Sequence, residues 1–149
     1  MKSPKPDILL RPSREFIWMQ AAQLFATRST CLKPNGAVLV KANRLISQGY
    51  NGSPSGMPHC VDLGECEVGL DRGCTRTVHA EANVICMAAK MGIPTEDSTL
   101  YCTTSPCYSC AKLLINAGIK EVIYLEEYRD PRGIELLKSC GVKVSKNGK

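Results

Sequence analysis

Residues 98–127, STLYCTTSPCYSCAKLLINAGIKEVIYLEE, decide the fold class of this chain. STLYCTT is dense in β-branched and aromatic residues and reads as a strand. Pro106 then opens a helix that runs through Ala117, because proline suits a first helical turn and Gly118 suits the left-handed cap that closes one. KEVIYLEE is a second strand. A helix lying between two strands makes an α/β chain the expectation, and the flanking sequence extends the pattern in both directions.

Downstream, PRGIELLKSCG (131–141) is a helix closed by Gly141, and VKVS (142–145) is a last short strand. Upstream, residues 79–91 read as a helix ended near Gly92 and Pro94. GAVLVKANRLISQGYNG (36–52) is two strand-like runs around Ala42-Asn43, a hairpin. From Ser13, a capping residue, Ile17, Ala21, Leu24 and Phe25 recur at helical spacing and form the expected buried stripe. Residues 1–12, with Pro4, Pro6 and Pro12, read as an extended arm. Residues 51–76 are rich in Gly, Pro and Cys without periodicity, so they read as one long loop, and a loop of that length is either functional or pinned by something. The order α-β-β-α-β-α-β-α-β implies a three-layer α/β/α arrangement with a five-stranded mixed sheet. It forms one domain over residues 13–149.

Composition narrows the function. The chain has 149 residues, 44% of them apolar and 22% charged, as in an ordinary globular domain. The net charge of +5 is spread from Lys2 to Lys149, and aromatic residues are 5%. That argues against a nucleic-acid footprint or a base-stacking platform. A small anionic substrate or a solvated surface accounts for the surplus. No run is long and apolar enough for a signal-peptide core or a membrane span, so the expected location is the cytoplasm and no membrane partner is expected. In that reducing setting the nine cysteines read as metal ligands and small core residues, not as a disulfide framework.

Two motifs carry the chemistry. Cys107 and Cys110 form C-x-x-C at the start of a helix, where amide N–H groups favour the thiolate that a metal needs. TVHAEANVICMAAK (77–90) holds His79, one of only two histidines, and Glu81 two residues later. Two thiolates and one imidazole are three zinc ligands, the number that a catalytic site uses while it keeps a position for water. Zinc lowers the pKa of bound water from about 15.7 to about 7. Glu81 would then carry a proton from that water to the substrate and later to the leaving group. H-x-E followed by P-C-x-x-C is the signature of zinc deaminases. The competing reading is a capping histidine with the cysteines as a redox pair or half a zinc ribbon, and the redox version lacks its usual context, since no aromatic-rich strand leads into this C-x-x-C.

HAEANVI, SPCYSCAKLLINAGIKEVIY and GYNGSPSGMPHC together resemble the deoxycytidylate (dCMP) deaminases of bacteria and their viruses, from about Phe16 to Val144. The resemblance implies the cytidine-deaminase fold, zinc on His79, Cys107 and Cys110, and Glu81 as proton shuttle. It also implies that Asn51 binds the deoxyribose hydroxyl and that the Ala80 N–H and the Ser105 carbonyl read the pyrimidine edge. Tyr128 would line the pocket. Asn51 reads equally as a turn residue before Gly52, and Tyr128 as a half-buried aromatic. The implied activity is deamination of dCMP to dUMP for thymidylate synthesis, in the cytoplasm of a bacterial cell or of a virus-infected host.

The family further implies a homohexamer, activated by dCTP with Mg2+ and inhibited by dTTP. Gly49, Tyr50, Asn51, Gly52 and Lys90 resemble the regions that shape its effector site. Lys90 stands where some relatives carry arginine, and it reads equally as a helix-end cation. Several relatives carry a second, structural zinc near the long loop. Cys31, Cys60, Cys66 and Cys74 are the candidates here, with His59 as a substitute, and surface thiols are the alternative. Cys86, Cys102 and Cys140 read as core packing. Competing functions are the same chemistry on dCTP, a free nucleoside or adenine in tRNA, and, more distantly, a non-catalytic zinc module that binds nucleic acid.

Overall fold

The computed structural model describes residues 11–70 and 72–148, so all but the last two residues of the expected arm lie outside the described residues. Helix α1 (Arg14–Ala26) precedes strands β1 (Gly36–Lys41) and β2 (Arg44–Tyr50). Helices α2 (Cys60–Leu63) and α3 (Ala80–Met91) follow. The chain then alternates through β3 (Thr99–Thr104), α4 (Tyr108–Asn116), β4 (Glu121–Glu126), α5 (Arg132–Ser139) and β5 (Lys143–Lys146). The five strands form one mixed sheet in the order β2-β1-β3-β4-β5. β1 runs antiparallel to both β2 and β3, whereas β3, β4 and β5 are parallel.

The β1–β2 turn is set by Ala42 and Asn43, with φ of 47° and 58°. Two successive left-handed residues make the turn whose twist matches that of paired strands. The register then shifts between Leu39 and Val40.

Strand alternation divides the core in two. Ala37, Leu39, Leu100, Cys102, Val122 and Tyr124 face α3, α4 and α5 and meet Val84, Ala111, Leu114 and Leu137. Val38, Val40, Tyr101 and Ile123 face the other way, onto Met19 and Ala22 of α1. Helices thus cover both faces, three on one side and one on the other. Leu39, Leu100, Leu114 and Leu137 are completely buried, each worth roughly 1.5–3 kcal/mol, so the three-helix layer supplies most of the apolar stabilisation.

Three expectations need correction. In α1 the buried residues are Met19 and Ala22, with Trp18, Ala21 and Phe25 packed beside them. Ile17 and Leu24 are 43% and 68% exposed. The helix REFIWMQAAQLFA is apolar all round, so periodicity does not select a stripe. Gly36 does, because a Cβ there would come within 2.1 Å of the Ala22 carbonyl, and backbones that close need the alanine face inward. Residues 51–76 are not a structureless loop. They contain α2, a bridge of Gly52 to Val78, and a bridge of Val68 to Cys74. Among the remaining cysteines only Cys102 is core, since Cys86 and Cys140 are exposed.

Candidate active site and metal centres

Two helix starts meet beyond the carboxy end of β3. His79 is the amino-terminal cap of α3, with extended backbone and no side-chain capping bond, so its ring is left for other work. Cys107 caps α4, and its sulfur accepts the Cys110 N–H at 3.4 Å. The expected helix starts move accordingly, to Ala80 and Tyr108. Two glycines let these turns approach. A Cβ at Gly49 would sit 2.7 Å from the Ala80 carbonyl, and one at Gly133 would sit 2.0 Å from the Pro106 carbonyl.

The result is a tight group. His79 Nδ1 lies 3.4 Å from Cys107 Sγ and 3.5 Å from Cys110 Sγ. Zinc bonds of about 2.3 Å to sulfur and about 2.0 Å to nitrogen, at the tetrahedral angle, put such neighbours roughly 3.5 Å apart. The donor set therefore fits zinc. The Cys107 thiol is drawn down to about 4, chiefly by its hydrogen bond with the Cys110 thiol and also by His79. The same pairing, with burial, pushes Cys110 up.

Glu81, 6% exposed, does not belong to the group of three close donors. Burial pushes its carboxyl up to about 7, against smaller lowering effects from its own backbone N–H and from His79. A carboxyl near neutrality can both take and give a proton at physiological pH.

Glu81, Ala80, Ser105, Asn51 and Tyr128 all line one pocket with His79 and Cys107. Ala80 opens α3, so its N–H is among those that a helix leaves without an internal partner. Ser105 Oγ accepts the Tyr128 N–H at 2.7 Å, which fixes the Tyr128 turn against the end of β3. Asn51 is 5% exposed and wired into the wall. Its Oδ1 accepts from Ser29 Oγ at 2.6 Å and from the Asn35 N–H at 2.8 Å, and its Nδ2 donates to the Lys33 carbonyl at 2.8 Å.

Sequence reasoning missed Lys33, Asn35, Arg72 and Arg129, which line the same pocket. Asn35 is a brace, accepting from the Thr103 and Thr104 hydroxyls. In sequence it is only a turn residue before a strand. The three cations are exposed whereas Glu81 is buried, so positive charge gathers at the mouth and the carboxyl at the floor.

The four loop cysteines also converge, with all four sulfurs within 4.8 Å of one another. Cys31 and Cys66 are 3.6 Å apart, as are Cys60 and Cys74. Sulfurs on a tetrahedral zinc stand roughly 3.8 Å apart, so this set fits a closed structural site. His59 is not in the set, and its buried Nδ1 has no hydrogen-bond partner among the described residues. Gly49, Tyr50, Gly52 and Lys90 line a separate cavity of about 800 Å³ with Arg28 and His59. Asn51 parts from that group, since it lines the first pocket instead.

An imidazole and two thiols gathered beside a buried carboxyl on an α/β/α sheet define the class as a zinc-binding hydrolytic domain. Residues 13–126 match the family described as the cytidine and deoxycytidylate deaminase zinc-binding region. The chain belongs to that deaminase family. It is 44% identical over 129 residues to ComE operon protein 2 of Bacillus subtilis, covering 85% of this chain and 67% of that one. It is 37% identical to the deoxycytidylate deaminase of Saccharomyces cerevisiae over 91% of its length but only 45% of the yeast protein's, so it spans about half of that relative. The dCMP deaminase of cyanophage S-TIM5, solved in complex with dCMP and dUMP, superposes with a TM-score of 0.78 at 35% identity. The match covers 97% of this chain and 99% of the phage chain.

Proposed function

We propose that the chain catalyses the zinc-dependent hydrolytic deamination of dCMP to dUMP and so supplies dUMP for thymidylate synthesis. The observation that carries this reading is the convergence of His79, Cys107 and Cys110 beside the buried Glu81. His79, Cys107 and Cys110 would hold the zinc, which when bound makes water nucleophilic at neutral pH. Glu81 takes the proton from the attacking water and hands it to a ring nitrogen of the pyrimidine. It then takes the second proton from the hydroxyl on the tetrahedral ring carbon and gives it to the departing amine, which leaves as ammonia while that carbon becomes a carbonyl. The Ala80 N–H and the Ser105 carbonyl orient the pyrimidine edge. Asn51 spends one of its two amide hydrogens on Lys33 and keeps the other for the deoxyribose hydroxyl. Tyr128 forms part of the wall. The positive mouth suits a substrate that carries phosphate.

The finer reading includes a second, structural zinc on Cys31, Cys60, Cys66 and Cys74. It also includes dCTP with Mg2+ as activator and dTTP as inhibitor, bound in the cavity lined by Gly49, Tyr50, Gly52 and Lys90. α3 supports that link, since Glu81 stands in its first turn and Lys90 in its last. A homohexamer working in the cytoplasm completes the reading. No helix among the described residues is long and apolar enough to cross a membrane.

Incubation with dCMP, dCTP, deoxycytidine and adenosine-bearing tRNA, followed by the ultraviolet change on loss of the amine, tests the substrate. dCMP should react fastest, and more strongly with dCTP present as effector. A clear preference for dCTP or tRNA would replace the substrate named here. No deamination, with salt-sensitive single-strand binding, would replace the enzyme by a nucleic-acid module.

A further inference from the structure

The four-cysteine cluster and the pocket mouth are one piece of structure. Cys31 and Cys74 line the pocket as well as belonging to the cluster. Lys33 follows Cys31 by two residues and Arg72 precedes Cys74 by two, and both side chains line the same pocket. Between Cys66 and Cys74 the chain forms a small hairpin. The Thr75 N–H donates to the Glu67 carbonyl at 2.7 Å, the Gly69 N–H to the Gly73 carbonyl at 2.9 Å, and the Arg72 N–H to the Gly69 carbonyl at 3.0 Å. The two cysteines hold its base and Arg72 sits near its tip. Arg72 adopts a φ of 65°, which a side chain rarely takes without support from its surroundings. On the opposite side, the Lys33 carbonyl is held by Asn51 Nδ2 at 2.8 Å.

Charge makes this arrangement more than a brace. Among the described residues neither Lys33 nor Arg72 has an ion-pair partner. The nearby Arg76 is already engaged, donating to Cys60 Sγ at 3.5 Å and to the Glu65 carbonyl at 3.0 Å. Glu81 at the floor is the only carboxylate among the described residues that line the pocket. Two cations at the mouth, with no ion-pair partner among the described residues, suit the end of the substrate remote from its ring.

We propose that Arg72, with Lys33, contacts the phosphate of the nucleotide, and that the four-cysteine cluster positions both, so that a metal ion there governs affinity for phosphate-bearing ligands. The cysteines act here as positioning residues, and Arg72 is a specificity determinant. This rests on the deaminase reading of the pocket.

Calorimetry on the zinc-loaded full chain, with dUMP and deoxyuridine as probes, tests it. Arg72→Gln should weaken dUMP binding about tenfold or more, the scale of one lost charged hydrogen bond, and leave deoxyuridine within about twofold. Its KM for dCMP should rise while kcat stays within about twofold. Cys66→Ser should lose one metal ion per chain by emission spectroscopy and show the same phosphate-selective loss. Cys66→His, which can still ligate, should restore both. Unchanged dUMP affinity in Arg72→Gln overturns the contact, a result that stands even if Cys66→Ser fails to fold. Metal loss in Cys66→Ser with dUMP affinity intact overturns the positioning role. A parent chain that turns over no dCMP and binds dUMP no better than deoxyuridine defeats the deaminase reading itself, and this inference with it.

Discussion

Glu81 and Cys107 are ordinary side chains retuned by where they stand. Burial lifts the Glu81 carboxyl from 4.5 to about 7, and hydrogen bonds draw the Cys107 thiol from 9.0 to about 4. Glu81→Gln keeps the volume and removes the proton carrier. We expect it to retain the catalytic zinc and lose roughly a thousandfold or more in kcat, measured by turnover beside metal analysis. Activity within about tenfold of the parent would take Glu81 out of the mechanism. The pH profile follows from the same residue. Glu81 accepts a proton only as carboxylate, so kcat/KM falls as pH drops through its pKa. A bound dication lowers that pKa from the raised value, so the midpoint lies below about 7. Below the midpoint the rate should fall about tenfold per pH unit, and a profile with no acid limb at any pH where the fold and the zinc are retained would contradict the role. At this scale the spacing of His79, Glu81, Cys107 and Cys110 was legible in the sequence. Lys33 and Arg72 were not, because an exposed lysine or arginine in a loop carries no signal until the loop is folded against something.

Elements bring these residues together through glycines at two contacts. Gly133 lets the first turn of α5 lie on the Pro106–Cys107 backbone, and Gly49 lets β2 lie on the first turn of α3. Gly133→Ala should force α5 away from the turn that carries Cys107. We expect a loss of roughly 1–3 kcal/mol in stability and faster release of the catalytic zinc to a chelator. A melting temperature within about a degree of the parent's, with unchanged zinc retention, would show that the contact relaxes freely. Element identity was readable from sequence, since the caps Ser13 and Gly92 stand where they were expected, and Gly118 takes its left-handed turn one residue past the Ala117 cap of α4. The buried stripe of α1 was not readable. Nearly every face of that helix is apolar, and the close approach of Gly36 to Ala22 made the choice. Nor was α2 readable, since a four-residue helix is too short for periodicity to register.

The whole molecule joins two clusters able to hold a metal ion through one pocket wall. We expect two zinc ions per chain by emission spectroscopy, falling to one in Cys74→Ser with a lower melting temperature; a parent with only one would remove the four-cysteine site. The sequence by itself determined the order of the five strands and the four longer helices, the mixed α/β class, and the residue types able to hold zinc and move a proton. These depend on local periodicity, capping and ligand spacing, which are written along the chain. Only the tertiary structure decided that Cys31 joins Cys60, Cys66 and Cys74 without His59, that Asn51 faces one cavity while its neighbours face another, and that Lys33 and Arg72 stand at the mouth. Each of these depends on segments remote in sequence packing side by side, and the distance between two such segments is a property of the folded core.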